Sequence, residues 1–533
     1  MVSWKTDNGR SSLREPPDTS LQDGVAVAQA ATIVAIGNIA SRFLGLLREI
    51  VKADLFGAGG HVSALDTAMA LPNIIFALVA GGMINSALIP VLSDYAAPER
   101  RDELWHLVSL LLSLVILVVT GFVLLGQLLT PQLVWLSAGG LPPADQQLAV
   151  RLLRIMMPGV LFLSLASVLS GTLYALNRFS FPAFTPAVFN VALVAVALAL
   201  GRRWGVYSMA VGLLAGAFLQ VLFQLPALRD ARLRLVFDFQ HPAIRRIGRL
   251  YLPILAGLAV DKLAELLSYR LASHTGAASL SWMTYSATII QFPLGLVGTA
   301  ISIAILPTLS RQANRGESQQ FGATLAQGLR LVIALTVPAT IGLWVLSTPI
   351  VRLVFEHGDF TAVDTMATAA ALRFHLVGLT FAAVDQPLIF SFYARKDTWT
   401  PALVGVATVL LYVVMALAPT LFLPMTLNGL ILANSLKWAA HALIMLFLLR
   451  GRVGGLGGQG LWKTVLTAVP LSILMGVVVH LTLQGMAQVV PGGTVGQLLL
   501  VGIPGLAGLG VYALLATLVG MDELRVFARS IAR

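Results

Sequence analysis

A group of charged residues between positions 42 and 52 stands inside an apolar stretch of the chain. Arg42, Arg48, Glu49 and Lys52 lie there, and in a helix Arg48 and Lys52, four positions apart, share one face. Two cations on one face suit an anion, and the planar guanidinium group of arginine forms bidentate hydrogen bonds with phosphate. Arg42 and Arg48 are therefore candidate phosphate ligands. The alternative is that the long side chains only extend to a polar interface, and we expect this for Lys52.

A second group of charges lies between positions 261 and 270. Asp261 and Glu265 are four positions apart and share a helical face, while Lys262 can neutralise one of them. These residues form either an ion site or a set of salt bridges with a structural role, and the sequence leaves both open. As an ion site, Asp261 and Glu265 are candidate ligands of a coupling ion, which could be Na⁺, H⁺ or Cl⁻.

Single ionisable residues also occur in later apolar runs. Asp385 and Lys437 each stand in such a run and could pair. Inserting one charge into a membrane costs about 2.5–3.5 kcal/mol, so such residues usually face protein or water. Asp385 is therefore a further candidate for binding the coupling ion. We interpret the lone residues His375 and His441 as satisfied core histidines.

The composition indicates that lipid is the solvent of this chain. Of 533 residues, 57% are hydrophobic and 11% are charged, whereas a soluble domain has roughly 25% charged residues. We therefore predict an all-α integral membrane protein. The absence of cysteine excludes disulfides and thiolate metal sites. No Walker loop, HExxH motif or nucleophile elbow is present, so we expect no enzyme, no ATP-driven step by this chain, and no cofactor or metal beyond the coupling ion.

About fourteen apolar runs, each near 20 residues, are long enough to cross a hydrocarbon core of roughly 30 Å. The net charge of +11 lies mainly in connections of one side, Arg178 and Arg229 among them. Because lysine and arginine favour the cytoplasmic side, this pattern predicts cytoplasmic termini and a topological role for the charge instead of a nucleic-acid surface.

The chain repeats itself at an offset of 217 to 219 residues. Ala87–Ser93 recurs as Ala304–Ser310, and Tyr174-Ala175 recurs as Tyr393-Ala394. Six spans in each copy give both copies the same orientation, as in transporters whose lobes move against each other. The predicted parts are a cytosolic tail at 1–24, an N-lobe of spans 1–6 at 25–235, a C-lobe of spans 7–12 at 236–450, and spans 13–14 with a cytosolic C-terminus at 451–533.

Proline and glycine interrupt the second and eighth spans at matching places. Pro72 and Gly81 lie in the second span, and Pro293, Gly295 and Gly298 lie in the eighth. Helices broken at corresponding positions of two repeats point to the substrate path of a transporter.

Several motifs resemble those of a known transporter family. They are SRFLGLLRE at 41–49, LPN at 71–73, SALIPVLSDY at 86–95, LYALNRFSFPAFTP at 173–186, SWMTYS at 281–286, FPLGLVGTAISIAILPTLSR at 292–311, FEHGDFTAVDT at 355–365 and FYARKDTWTPA at 392–402. On these residues the chain resembles the lipid II flippase family MurJ, also called MviN, of the multidrug/oligosaccharidyl-lipid/polysaccharide (MOP) exporter superfamily. The family's layout of six, six and two spans agrees with the repeat.

The resemblance implies a flippase of the bacterial inner membrane. Such a protein moves the undecaprenyl-pyrophosphate-linked peptidoglycan precursor, lipid II, from the inner to the outer leaflet by alternating access, in cell-wall biogenesis and maintenance of cell shape. It implies that cavity arginines bind the pyrophosphate, and Arg42 and Arg48 match two of them. The substrate-binding candidates are then Arg42, Arg48, Asp66, Asn73, Lys262 and Arg270. Expected partners are the lipid-linked substrate, membrane lipids and the cell-wall synthesis machinery, and we expect no nucleic acid. The expected oligomeric state is a monomer.

Other positions depart from the family pattern. Phe76 and Ala77 stand where an arginine pair usually follows LPN. The family's aspartate after the FGAG motif, at 56–59 in this chain, maps to Ser63, with Asp66 one helical turn further on. Fewer cavity cations weaken the attraction for a pyrophosphate. Two alternatives therefore stay open: an exporter of another lipid-linked glycan or an amphipathic cation, and a scaffold that transports nothing.

Overall fold

The regular secondary structure of the described residues is helical. The computed structural model describes residues 19–81, 88–236, 238, 241–453, 458–490, 493–521 and 523. All regular elements in these residues are helices, which confirms the all-α prediction. Residues 1–18 of the predicted cytosolic tail at 1–24 lie outside the described residues. The predicted cytosolic C-terminus lies outside them from residue 524 onward.

The first half of the chain alternates long and short helices. Its α-helices are α1 Thr19–Phe56, α2 Gly60–Phe76, α3 Ile89–Ser93, α4 Arg101–Leu128, α5 Thr130–Ala138, α6 Pro143–Met156, α7 Gly159–Ala175, α8 Ser180–Trp204 and α9 Tyr207–Gln224. The long ones follow the apolar runs, because in lipid a helix satisfies its backbone hydrogen bonds within itself.

The second half repeats this series and adds two helices. Its α-helices are α10 Pro242–Ser273, α11 Ser279–Pro293, α12 Ala300–Asn314, α13 Ser318–Val345, α14 Ser347–Phe355, α15 Ala362–Ala394, α16 Trp399–Leu417, α17 Leu427–Arg450, α18 Leu461–Ala487 and α19 Thr494–Val519. The short helices α5 and α14 each have nine residues and occupy matching places.

The backbone also repeats at single positions. Asn177 and Lys396 lie 219 positions apart, after α7 and α15, and both have positive φ angles, 58° and 62°. A non-glycine residue seldom adopts a positive φ angle. Its recurrence at the offset seen in the sequence indicates that the two halves share one backbone design.

One helix differs between the two copies. α15 is continuous over 33 residues, whereas its counterpart is divided into α6 and α7, which are bent by 41°. Pro158 lies at the division, and Val377 stands at the matching place in α15. Proline lacks the N–H group that a helix interior needs, and its ring clashes with the preceding turn. Pro158 therefore favours the break at this place, although α15 stays continuous over its own Pro387.

Fewer than fourteen helices of the described residues meet the length and composition criteria for a membrane span. Eleven helical segments of the described residues are long and apolar enough to cross a membrane, and α6 with α7 makes a twelfth if the bent pair is one span. The predicted count of fourteen is thus not confirmed. α1 and α10 are the two long helices left out of this count, and α10 carries seven charged side chains.

The second and eighth spans each contain a π-helical segment. Ala77–Gly81 follows α2, and Leu294–Thr299 joins α11 to α12. The starts of the two segments are 217 residues apart, so the predicted interruption at matching places is confirmed. A π-helical turn closes its hydrogen bonds over one more residue than an α-helical turn. Carbonyl groups beside it therefore become available to donors from other helices.

Candidate functional site

Arg42 binds a backbone carbonyl group beside a π-helical segment, one that also accepts from the Leu294 N–H group. Its Nη1 atom donates to the carbonyl oxygen of Gln291 at 3.0 Å, just before the π-helical segment of span 8. The guanidinium group lies against Gly295, in space that a β-carbon at that position would need. Phe43 and Phe292 pack edge to face with their ring centroids 5.9 Å apart. α1 of the first half and span 8 of the second half therefore meet at Arg42.

A cavity of about 1650 Å³ opens beside this contact. Its wall contains Arg42 and two further arginines, Arg178 and Arg229. α1 and the connections at 177–181 and 226–230 form one side, and span 8 forms the other. Its exposed apolar edge consists of Ile39, Leu296 and Ile303. The cavity thus combines cationic side chains with an apolar opening between the two halves.

An acidic residue holds Arg178 at the mouth of the cavity. Nη1 and Nη2 of Arg178 donate to the two carboxylate oxygens of Asp230 at 2.7 and 3.0 Å, and Nη1 also donates to the Ala227 carbonyl oxygen. Hydrogen bonding by Arg178 lowers the pKa of Asp230. Arg229 is exposed beside this pair. The sequence predicts only a role in membrane topology for Arg178 and Arg229, and it does not predict that they line a cavity.

Arg48 belongs to a buried ion-pair network and is not among the cavity-lining residues. Its Nε and Nη2 atoms donate to Glu49 Oε1 at 3.0 and 2.8 Å, and its Nη1 atom donates to Asn190 at 3.3 Å. Lys52 Nζ lies 2.5 Å from Glu49 and 2.6 Å from Asp66, and its side chain is 1% exposed. The expectation that Lys52 extends to an interface is therefore wrong, because two carboxylates hold it inside the protein.

The other predicted substrate ligands also lie outside the cavity wall. Asn73 donates to a carbonyl group of its own helix at 3.0 Å, and Lys262 forms a 2.6 Å ion pair with Glu265. Arg270 donates to the carbonyl oxygen of Trp135 at 2.6 Å and stacks on its ring at 4.4 Å, which joins α10 to α5. Substrate binding by these residues stays a prediction.

An ionisable pair lies between α15 and α17. His441 Nδ1 and Asp385 Oδ1 are 2.8 Å apart, and each side chain is 12% exposed. Asp385 thus pairs with His441, whereas Lys437 lies over the ring of Tyr412. This contact fits the prediction of a satisfied core histidine, and its acidic partner is what the sequence did not identify. His375 is buried and lies 3.2 Å from the hydroxyl group of Ser286, which fits the predicted core histidine.

The two halves touch each other at the opposite end of α1. The Asp359 N–H group donates to the Asp54 carbonyl oxygen at 3.0 Å, and the Gly140 N–H group donates to Ser273 Oγ at 3.0 Å. The two contacts are related by the repeat. Ser273 is the counterpart of Asp54, and Asp359 is the counterpart of Gly140, each 219 positions further along the chain. Gly358, with a φ angle of 53°, leaves no space for a β-carbon beside Asp54. This end is therefore closed, while the end at Arg178 is open.

Comparison with known proteins identifies related sequences along most of the chain. The sequence model of the family described as lipid II flippase MurJ matches residues 52–500. A probable lipid II flippase MurJ of Haemophilus influenzae is 32% identical over 426 residues, which cover 76% of this chain and 82% of that protein. A lipid II flippase MurJ of Burkholderia cenocepacia is 29% identical over 423 residues, covering 77% and 81%.

Solved structures share the fold. A lipid II flippase MurJ in an inward closed conformation aligns with a TM-score of 0.76 and 23% identity, over 94% of this chain and all of that chain. A multidrug resistance MATE family transporter of the MOP superfamily, in an inward-facing conformation, aligns with a TM-score of 0.68 and 15% identity, over 78% and 96%. These similarities confirm the MOP-type fold.

Proposed function

We propose that this chain, which belongs to the lipid II flippase MurJ family, moves lipid II from the inner to the outer leaflet of the bacterial inner membrane. It acts as a transporter and not as an enzyme. The headgroup enters the cavity between the two lobes, and the lobes then close behind it and open on the other side.

The observation that carries this proposal is the cavity beside Arg42. Lipid II has a pyrophosphate between a polar headgroup and a long prenyl chain. Arg42 can bind the pyrophosphate through charged hydrogen bonds, with Arg178 and Arg229 at the entrance. The apolar edge between α1 and span 8 allows the prenyl chain to stay in lipid while the headgroup is inside.

The distribution of charge supports an inward-facing orientation. Lysine and arginine favour the cytoplasmic side, and this supports a cytoplasmic position for the connections with Arg178 and Arg229 and for both chain termini. The cavity then opens to the side where lipid II is made, and the contact between Asp54 and Asp359 closes the outer side. We expect a monomer that receives its substrate from the membrane and supplies the cell-wall synthesis machinery.

One observation favours a second candidate, an exporter of another lipid-linked glycan or of an amphipathic cation. Phe76 and Ala77 occupy the positions after LPN where the family pattern has an arginine pair. A cavity with fewer cations binds a pyrophosphate more weakly. A preference for cationic dyes over pyrophosphate lipids in binding assays would favour this candidate.

The proposed function can be tested in a bacterium depleted of its own flippase. The chain should restore growth and the appearance of lipid II in the outer leaflet, and Arg42→Ala should abolish both, because it removes the one of the three cavity arginines that lies between α1 and span 8. Arg315→Ala, which changes an exposed arginine away from the cavity, should behave like the unmodified chain. Failure of the unmodified chain to restore growth, at verified levels in the membrane, would contradict the proposal.

A further inference from the structure

We propose that Asp385 and His441 form a proton-binding site that couples a proton gradient to the movement of the lobes. This inference deepens the proposed function, because it names the ion that drives transport. The two side chains are 2.8 Å apart, on two different spans of the second lobe, and both are partly accessible, with 12% of each side chain exposed.

The pair lies deep within the spans. Asp385 is nine residues before the end of α15 at Ala394, and His441 is nine residues before the end of α17 at Arg450. At 1.5 Å per residue this is about 14 Å, close to the middle of a hydrocarbon core of roughly 30 Å. An ionisable pair at such depth is costly to insert and is typically part of an ion or proton pathway.

The charge of the pair favours uptake of one proton. Asp261 of α10, which is exposed, and Lys437 of α17 also act on Asp385 through their charges, and because these have opposite sign their effects oppose each other. With His441 neutral, the group formed by Asp385 and His441 has a net charge of −1. One added proton makes the group neutral, which is the favoured state in a medium of low dielectric constant. The proton is shared by the pair and belongs to neither residue alone.

A proton fits this place better than a metal ion does. No group of three or more His, Cys, Asp or Glu residues that could hold a metal ion occurs among the residues that the structure describes. Na⁺ and other hard cations need several oxygen ligands. Here one carboxylate faces an imidazole, and Lys437 already supplies a positive charge. Proton binding needs no further ligand. The bond between the proton and the acceptor atom of the pair is the one covalent bond that forms, and it breaks again when the proton leaves.

The π-helical segment of span 8 connects this pair to the cavity. A β-carbon at Gly298 of that segment would lie 3.1 Å from the Cα atom of Ala383, which is two residues before Asp385. The same segment contains Gly295, on which the guanidinium group of Arg42 lies. A change in the packing of α15 on protonation therefore acts on the element that Arg42 contacts. A π-helical turn that can revert to an α-helical turn is a two-state element of the kind that coupling requires.

Infrared spectroscopy of the full-length protein in lipid nanodiscs tests proton binding without any substrate. A carboxyl band of a protonated Asp should appear as the pH is lowered, disappear in Asp385→Asn, and shift its titration in His441→Gln. His480→Gln, which changes an exposed histidine on α18, is the matched control and should leave the band unchanged. A band that persists in Asp385→Asn, or the absence of any band that this substitution removes, would overturn the proposal.

Proteoliposomes test the coupling itself. With one proton per lipid, a gradient of one pH unit should shift the distribution of lipid II between leaflets by up to about tenfold, and Asp385→Asn and His441→Gln should abolish this shift, whereas His480→Gln should retain it. A sodium gradient at equal pH should have no such effect. A shift driven by sodium, or one that survives in both variants, contradicts the proposal. Absence of any lipid II movement in the unmodified protein would count against the proposed function, and the infrared titration would still decide on the proton site.

Discussion

At the scale of single residues, the structure separates two arginines that look alike in the sequence. Arg48 precedes Glu49, and that carboxylate binds it together with Lys52 in a network that contains equal numbers of positive and negative charges. Arg42 has no acidic neighbour in the chain and donates to a carbonyl group at the cavity wall. An arginine paired with a carboxylate has less capacity for a phosphate than one bonded to a neutral carbonyl group. In the proposed function Arg42 is therefore the main anion ligand.

Substitution of Gly295 tests the place of Arg42. In Gly295→Ala the new β-carbon needs space that the guanidinium group now occupies, so Arg42 must move away from the π-helical segment. We expect transport to fall by about tenfold or more, corresponding to ~1.4 kcal/mol, at an unchanged protein level. The measurement is lipid II accessibility in the outer leaflet. Gly405→Ala, in α16 with open space around it, should be neutral, and equal activity of both variants would contradict this placement of Arg42.

The buried network predicts an effect on stability. Lys52→Met leaves the carboxylate of Asp66 buried without its cation, which should destabilise the protein by about 3–5 kcal/mol. The double variant Lys52→Met with Asp66→Leu removes both charges, and Glu49 keeps Arg48 as its partner, so most of the loss should be recovered. Thermal unfolding in detergent measures both variants. A double variant that is no more stable than the single one would argue against this ion pair.

At the scale of elements, the repeat preserves a contact while exchanging its charges. In the first half Arg178, after α7, binds Asp230, after α9. In the second half Asp397 stands at the place of Arg178, and it binds Arg452, after α17, at 2.5 Å. Both ion pairs fasten the connection between the fourth and fifth spans of a lobe to the end of its sixth. Because acid and base change places, the contact depends on complementarity and not on one particular charge.

The exchange predicts the result of a charge reversal. Arg178→Asp places two carboxylates together and should lower the melting temperature, whereas Arg178→Asp combined with Asp230→Arg should restore it. Both side chains are exposed by more than a third, so we expect a pair of only about 0.2–1 kcal/mol. A double-mutant cycle of melting temperatures measures the coupling. No recovery in the double variant would contradict it.

The same pairs predict a response to pH. Hydrogen bonding by Arg178 lowers the pKa of Asp230. Burial alone would raise the pKa of Asp397, but hydrogen bonds from Thr400 and Arg452 outweigh the effect of burial, so the pKa of Asp397 is lowered as well. A carboxylate with a lowered folded pKa stabilises the fold above its unfolded value of about 3.9, and this stabilisation is lost as the pH falls through the folded pKa. Melting temperatures should therefore show no contribution from titration of these pairs between pH 6 and 8, and Asp230→Asn should remove part of the loss below about pH 4. An unchanged acid response in Asp230→Asn would contradict this role.

Elements differ in how far the sequence could predict them. Long helices follow from hydropathy, and the paired interruptions follow from Pro72 and Pro293, because both signals are local. The division of α6 from α7 at Pro158 has a local cause as well, but α5 and α14 are too short to stand out as apolar runs. In the site, Arg42 could be predicted because a charge in an apolar run is conspicuous. The roles of Arg178 and His441 depend on which distant residues the fold brings beside them. Local sequence patterns do not contain this information.

At the scale of the whole molecule, the two lobes close one end together, and toward the other end a cavity opens between α1 and span 8. On the far side of that end Arg246 of α10 still binds Asp94 of the first lobe at 2.6 Å. Contacts related by the repeat, from Asp359 to Asp54 and from Gly140 to Ser273, close one end. The cavity with Arg42 opens at the other end. A flippase that works by alternating access must break the first set of contacts in every cycle. Since the chain has no cysteine, introduced cysteines can be cross-linked without a background reaction.

Reversible cross-linking of the closed end tests this account most directly. Asp54→Cys with Asp359→Cys, joined by a disulfide or by a short cleavable linker, holds the lobes together across that end, and Arg100→Cys with Glu103→Cys, joined within one lobe, is the control. The measurement is the amount of lipid II in the outer leaflet before and after cleavage of the cross-link. Transport should stop in the first variant, return on cleavage, and continue in the control. Undiminished transport by a fully cross-linked Asp54→Cys and Asp359→Cys protein would contradict it.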